Sequence, residues 1–101
     1  MVVNYYSTDY SDAAQTGLTV ALNRTLAAAA AVNGAVVADA FSAFQNAAAS
    51  PFAAGKTCRT GLLNGNPQDP QACDVHPSLT GQRLLAKTVK AAYLTARRAD
   101  D

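Results

Sequence analysis

Apolar side chains are concentrated in blocks along the chain, and two of these blocks predict strands. The segment "VVNYY" at residues 2–6 is rich in β-branched and aromatic side chains and is apolar on both sides, which is typical of a buried parallel strand. Turn residues follow in "STDYSDAAQTG". The segment "AVVADA" at residues 35–40 predicts a second buried strand.

Between the two predicted strands, the apolar positions take the period of a helix. We expect this helix to begin at Ala13 or Thr16 and to end at Val32, because Gly34 just beyond it tolerates a left-handed cap. Its apolar positions repeat at i and i+4: Leu18, Leu22, Leu26, and then Ala29 or Ala30. The order strand, helix, strand predicts a βαβ unit with parallel strands.

The last part of the chain predicts a second long helix. Ser78 follows Pro77 and is a suitable N-cap residue. The apolar face of this helix comprises Leu84, Leu85, Val89, Ala92 and Ala96. Gly81 in the first turn costs helix stability, so we expect another segment of backbone to approach it closely.

The region between the second strand and the last helix predicts a tethered loop. Phe41 and Phe44 are spaced as on a helical turn, and we expect them to pack in the core. Residues 46–74 show little periodicity and are rich in Gly, Pro and Asn, which is typical of a long loop. Cys58 and Cys73 near its ends favour a functional role for the loop over disorder.

Composition excludes several classes of protein. A chain of 101 residues forms at most one small domain, and with half of its residues apolar its composition is not that of a disordered chain. The net charge is +1, the Lys and Arg residues are scattered and Trp is absent, so we expect no nucleic-acid partner. No apolar run reaches the ~20 residues of a membrane span. The start "MVVNYYSTDY" lacks the features of a signal peptide.

The two cysteines leave three interpretations. In an oxidising compartment, Cys58 and Cys73 would form a disulfide, which stabilises a loop of this length by roughly 3 kcal/mol. In a cytosolic protein they would be free thiols. A metal site built from both cysteines with Asp74 and His76 lacks the paired C-x-x-C spacing of structural zinc sites, so we expect no metal and no cofactor.

His76 is the only histidine of the chain and the candidate acid–base residue. Pro77 disfavours helical backbone at His76, and in an extended segment Asp74 and His76 project to the same side. A carboxylate in that position can hold a ring N–H and stabilise the imidazolium. The dipole of the helix that starts near Ser78 opposes the imidazolium. The alternative is that His76 is an ordinary loop residue.

The segment "DVHPSLTGQRLLAKTV" resembles the last conserved block of the SGNH (GDSL-type) hydrolases, in which Asp and His precede Pro, a small polar residue, Gly and an amphipathic helix. "VVNYYSTDYSD" and "ALNRTLAAAAAVNGAVVADAFSAF" resemble the late strand, long helix and last strand of secreted bacterial esterases and lipases. The resemblance covers nearly the whole chain. It implies that residues 1–101 are a single incomplete domain, the C-terminal βαβ-α portion of a flavodoxin-like three-layer α/β/α SGNH fold. It also implies an extracellular parent enzyme.

The resemblance implies a role for each site residue. His76 would be the general base for a serine of an early Gly-Asp-Ser motif, which is absent from this chain, as is the Gly-x-Asn-Asp block. The orienting acid usually lies three residues before the histidine, where this chain has Cys73. The orienting group is therefore Asp74 or a backbone carbonyl. Cys73 would pair with Cys58 and pin the loop that presents His76; a catalytic Cys73–His76 pair is the sharper alternative.

Two functions follow as expectations. The first is a C-terminal fragment of an ester hydrolase that supplies the catalytic His76 and is inactive without an N-terminal half carrying the serine. Its substrate in the complete enzyme would be an ester. The alternative is a non-enzymatic α/β interaction module that dimerises through its sheet edges, because two parallel strands leave backbone groups unpaired on both sides.

Overall fold

The chain folds as a small mixed α/β domain of three helices and a two-stranded parallel sheet. The computed structural model describes residues 1–69 and 71–100. Pro70 in the predicted loop and Asp101 lie outside the described residues. In chain order, the elements are β1 (Val2–Val3), α1 (Ala13–Val32), β2 (Val37–Ala38), α2 (Ala40–Ala48), a 3-10 helix (Thr57–Thr60) and α3 (Leu79–Asp100). The predicted parallel pairing is confirmed, with Val2 opposite Val37.

Both strands are shorter than "VVNYY" and "AVVADA" predict: β1 ends because asparagine side chains take the backbone hydrogen bonds that follow it, and β2 ends because Asp39 is the N-cap of α2. The amide of Asn4 still donates to the Ala38 carbonyl at 3.1 Å. Its side-chain Oδ1 accepts the Phe41 amide at 2.9 Å. At Tyr5, both backbone groups pair with the Asn23 side chain of α1, at 2.9 and 2.8 Å. These side chains stop the ladder after Asn4.

Helix α1 begins and ends where the sequence predicts. Asp12 is its N-cap and accepts the Gln15 amide at 3.0 Å. Asn33 is the C-cap, and Gly34 after it has the left-handed φ of 68°.

The predicted apolar stripe of α1 is only partly buried. Ala30 near its end is in the core, whereas Leu18 is 75% exposed and Leu22 is also exposed. The N-terminal half of α1 therefore presents apolar surface that no described residue covers.

The core is centred on α2 and the aromatic residues around it. Phe44 is fully buried, and the Tyr6 ring stacks on it with centroids 4.2 Å apart. The prediction that Phe44 packs in the core is confirmed, and burial of such a ring stabilises the fold by about 1.5–3 kcal/mol. Phe41 is half-buried and packs edge-on against Tyr10.

Buried polar side chains connect the segment after β1 to the rest of the domain. The Thr57 hydroxyl donates to the Ser7 carbonyl at 2.7 Å, and both residues are buried. The Tyr10 hydroxyl donates to the Phe41 carbonyl at 2.7 Å and accepts the Ser7 amide at 3.2 Å. Each of these groups thus has a partner, as a stable interior requires.

Helix α3 starts as predicted. The Ser78 hydroxyl accepts the Gly81 amide at 3.1 Å, as an N-cap does, and donates to the Gly61 carbonyl at 2.6 Å. The expected close approach at Gly81 is also confirmed, because a Cβ there would overlap the carbonyl oxygen of Leu62. The predicted apolar face of α3 is half-buried.

An open apolar groove of about 560 Å³ runs between α3 and β2. It is lined mainly by apolar and small side chains, among them Val36, Val37, Leu84, Thr88, Ala92 and Ala96. In the described part of the chain, no helix is long and apolar enough to cross a membrane.

Replacing Gly81 by alanine is expected to lower the free energy of unfolding by about 1–3 kcal/mol, because the methyl group would overlap the Leu62 carbonyl and force α3 to move. The matched control is Gly17→Ala in α1, where nothing lies within 4 Å of an added Cβ. The control should raise the free energy of unfolding by up to about 1 kcal/mol. Urea unfolding followed by circular dichroism measures both, and equal effects would contradict the close approach.

The stability should fall at alkaline pH because of Tyr10. Burial raises the pKa of Tyr10 to about 12, against the opposing hydrogen bond from Ser7 and with help from the charge of Asp39. From about pH 10 to about pH 12 the unfolded chain releases this proton while the folded chain keeps it. The free energy of unfolding therefore decreases as the pH rises through this window.

Tyr10→Phe should make the free energy of unfolding fall less steeply with rising pH. At neutral pH it should lower that free energy by about 1 kcal/mol, because the Phe41 carbonyl loses its donor. Urea unfolding at several pH values measures both effects, with the exposed Tyr93→Phe as control. If Tyr10→Phe and Tyr93→Phe gave the same pH dependence, the assignment to Tyr10 would be wrong.

Candidate functional site

The predicted loop contains a short antiparallel ladder that fixes the backbone around His76. Leu63 and Pro77 form an antiparallel bridge. The Asp74 amide donates to the Asn64 carbonyl and the Asn64 amide donates to the His76 carbonyl, both at 2.9 Å. The Ser78 amide donates to the Leu62 carbonyl at 2.8 Å. We call this pairing of residues 62–64 with residues 74–78 the site ladder. It fixes the backbone on both sides of a bend at Val75 and His76.

A disulfide between Cys58 and Cys73 ties the 3-10 helix to the start of the site ladder. The predicted disulfide is therefore confirmed. Because both sulfurs are bonded to each other, the alternatives of free thiols, of a thiolate metal site and of a Cys73 nucleophile are wrong. Among the described residues, no group of three or more His, Cys, Asp or Glu side chains is arranged to hold a metal ion.

The side chains of Asp74 and His76 lie together because the backbone bends at Val75 and His76, and the extended conformation predicted for this segment is wrong. Asp74 Oδ1 accepts the His76 amide at 2.7 Å and lies 3.3 Å from His76 Nδ1. The side chains are 59% and 75% exposed, respectively. The contact between Nδ1 and Oδ1 is within ion-pair distance but is not a hydrogen bond, and Nε2 is bonded by none of the described residues.

The site ladder lies at the carboxyl end of the parallel strands. Tyr6, shortly after the end of β1, reaches it and donates its hydroxyl to the Val75 carbonyl at 2.8 Å. Burial raises the pKa of Tyr6, and the negative charge of Asp74 raises it further, so the carboxylate lies close enough to influence this hydroxyl. In open α/β sheets, the carboxyl edge is where ligands bind.

A polar cleft of about 230 Å³ adjoins the disulfide and is lined by Asp74, Val75 and residues that follow β1, including Thr8, Asp9, Asp12 and Gln15. Burial alone would raise the pKa of Asp9, but hydrogen bonds from Ser11 and the charge of Lys56, 3.5 Å away, bring it below its ordinary value. Asp9 is therefore ionised at neutral pH. The carboxylates make the cleft unfavourable for anions.

Sequence reasoning missed two residues that organise this site. Tyr6 was predicted only as part of a buried strand, and Asn64 only as part of a loop. For Asn64 a signal was available, because the adjacent Leu62 and Leu63 are an apolar pair inside a polar stretch and both are buried. For Tyr6 there was no local signal, because its partner Val75 is 69 positions away.

No family model matches the chain, and searches of curated proteins and of solved structures found no match either. Any functional assignment therefore rests on the geometry around His76 and on the resemblance of the segment that carries it.

Removing the disulfide by replacing both Cys58 and Cys73 with serine is expected to lower the free energy of unfolding by roughly 3 kcal/mol, since the bond closes a loop with a sequence separation of 15. Urea unfolding measures the loss. A thiol reductant is the control: it should destabilise the natural chain by a similar amount and leave the double variant unchanged. A natural chain insensitive to the reductant would show that the bond contributes nothing.

Proposed function

We propose that this chain is the C-terminal part of an SGNH (GDSL-type) ester hydrolase domain and supplies its catalytic histidine, His76. The observation that carries the proposal is the pairing of the Asp74 carboxylate with His76 Nδ1 on a segment fixed at the carboxyl end of the strands. The resemblance of "DVHPSLTGQRLLAKTV" to the histidine block of that family supports the same assignment.

In this mechanism, His76 Nε2 takes the proton of a serine hydroxyl as the oxygen attacks the ester carbonyl, and then gives the proton to the departing alkoxide. Asp74 holds the Nδ1 proton and stabilises the imidazolium formed in between. We assign the orienting role to Asp74 because its Oδ1 is 3.3 Å from Nδ1. Cys73, at the position where the family usually has the acid, is bonded to Cys58.

The serine and the oxyanion donors would come from a preceding N-terminal half. Two features of the sheet support this. Among the described residues β1 pairs with β2 alone, so the backbone groups of Val3 that face away from β2 are available for another strand. The apolar groove between α3 and β2 is open. A strand beside β1 and a helix in contact with the groove would extend this βαβ-α unit into a flavodoxin-like three-layer α/β/α domain.

The disulfide is consistent with an oxidising compartment, which supports an extracellular location for the whole enzyme. The partner of the complete site would be an ester.

A second candidate is a non-enzymatic module that self-associates through its sheet edges. The same unpaired edge of β1 favours it, together with the exposed side chains of Val3 and Tyr5. The two candidates differ in what light scattering would report for the purified chain. A discrete stable dimer supports the module, whereas poor solubility or aggregation supports an incomplete domain.

To test the first candidate, the chain is joined behind the N-terminal half of an SGNH ester hydrolase that carries the Gly-Asp-Ser motif, and hydrolysis of a nitrophenyl ester is measured. The chain alone should show no activity, and the joined protein should be active. His76→Ala should lower kcat by about 10³-fold because the general base is lost, and Asp74→Asn should cost less.

The matched control is Asp69→Asn, which removes another carboxylate of the same loop, one that accepts the Gln71 amide. It should leave kcat unchanged. Full activity of the joined protein after His76→Ala would eliminate the assignment. The proposal also expects the coding sequence upstream of residue 1 to contain a Gly-Asp-Ser motif in frame, and reading that DNA checks it.

A further inference from the structure

The segment that presents His76 is held from two sides. On one side, the site ladder binds the amide of Asp74 and the carbonyl of His76 to Asn64. The carbonyl of Val75 takes no part in the site ladder. It accepts a hydrogen bond from the Tyr6 hydroxyl at 2.8 Å.

Tyr6 is itself anchored in the core. Its ring stacks on Phe44 with centroids 4.2 Å apart and planes 11° from parallel, and Phe44 is fully buried. A stacked tyrosine ring has few torsional freedoms, so its hydroxyl has a defined position relative to the core.

The carbonyl of Val75 and the amide of His76 belong to the same planar peptide unit. The hydroxyl of Tyr6 holds the oxygen end of this unit, and Asp74 Oδ1 accepts the N–H end at 2.7 Å. The same Oδ1 lies 3.3 Å from His76 Nδ1. If the peptide unit rotated, the amide would leave the carboxylate, and the carboxylate would lose the contact that keeps it beside the ring.

We propose that Tyr6 is a positioning residue for His76, and that its hydroxyl prevents rotation of the Val75–His76 peptide unit and so keeps the Asp74 carboxylate beside Nδ1. This rests on the proposed function, because the position of the ring matters for turnover only when His76 is the general base. A purely structural role for Tyr6 would affect stability without altering the geometry of the Asp74–His76 pair.

The chain itself allows a direct test by NMR, because it contains a single histidine. Tyr6→Phe keeps the stacked ring and removes the hydroxyl. We expect hydrogen exchange of the His76 amide to become about tenfold faster, because one hydrogen bond no longer holds its peptide unit. The imidazole ¹⁵N shifts should move from the Nδ1–H tautomer towards a mixture, because the carboxylate no longer favours one ring proton.

The matched control is Tyr5→Phe, at the neighbouring position, whose ring is 57% exposed and whose backbone groups alone bond to α1. It should leave both readings unchanged. The inference is overturned when Tyr6→Phe and Tyr5→Phe give the same amide exchange and the same ring shifts, whatever happens to the melting temperature.

A second variant covers the case in which Tyr6→Phe does not fold. 3,5-Difluorotyrosine at position 6 ionises at a lower pH than an ordinary tyrosine. Below that pH its phenol donates a hydrogen bond to the Val75 carbonyl, and above that pH it does not. Protection of the His76 amide should be lost with that ionisation, while the amide of the buried Ala30 in α1 stays protected. Unchanged protection of His76 would overturn the inference.

The joined enzyme separates this inference from the proposed function. There Tyr6→Phe should lower kcat by about tenfold with KM unchanged, since the ester contacts are intact. Activity that survives His76→Ala would refute the proposed function. Activity that requires His76 but responds equally to Tyr6→Phe and Tyr5→Phe would refute only the role of Tyr6.

Discussion

The carbonyl of Leu62 links the fold of this domain to its candidate site. Its oxygen accepts the Ser78 amide, which is the last bond of the site ladder, and the first turn of α3 lies against it at Gly81. Only a residue without a Cβ permits both contacts. The start of α3 is therefore fixed by the same segment, residues 62–64, that binds the His76 carbonyl, and the disulfide at Cys73 holds the other end of the site ladder.

The Asp74 and His76 side chains lie within ion-pair distance of each other but are exposed to water. Two exposed partners gain little from their attraction, because water and salt screen it. The same contact becomes much stronger when a neighbouring surface excludes water. The exposed apolar face of α1 and the groove beside β2 show that this domain has surface suited to such a neighbour. The proposed hydrolase uses the groove, and both candidate functions use the unpaired edge of β1.

The sequence was sufficient for features that depend on local chemistry. The ends of α1 and α3 follow from capping residues, the close approach at Gly81 from the cost of glycine in a helix, and the disulfide from two cysteines near the ends of one loop. The short length of β1 could not be predicted, because β1 ends where Asn23 bonds a residue 18 positions away. The role of Tyr6 and the site ladder likewise depend on contacts between distant residues, which leave no periodic pattern in the sequence.

The span of the contact between Tyr6 and Val75 also bears on how the protein acquires its structure. The two residues are separated by 69 positions, so their hydrogen bond cannot form before most of the chain has been synthesised. Contacts of such separation form late because the entropy of closing a long loop opposes them. Oxidation of Cys58 and Cys73, only 15 positions apart, closes a much shorter loop and reduces the freedom of the segment that Tyr6 must capture. The arrangement of Asp74 and His76 is thus expected to form last, after the disulfide between Cys58 and Cys73.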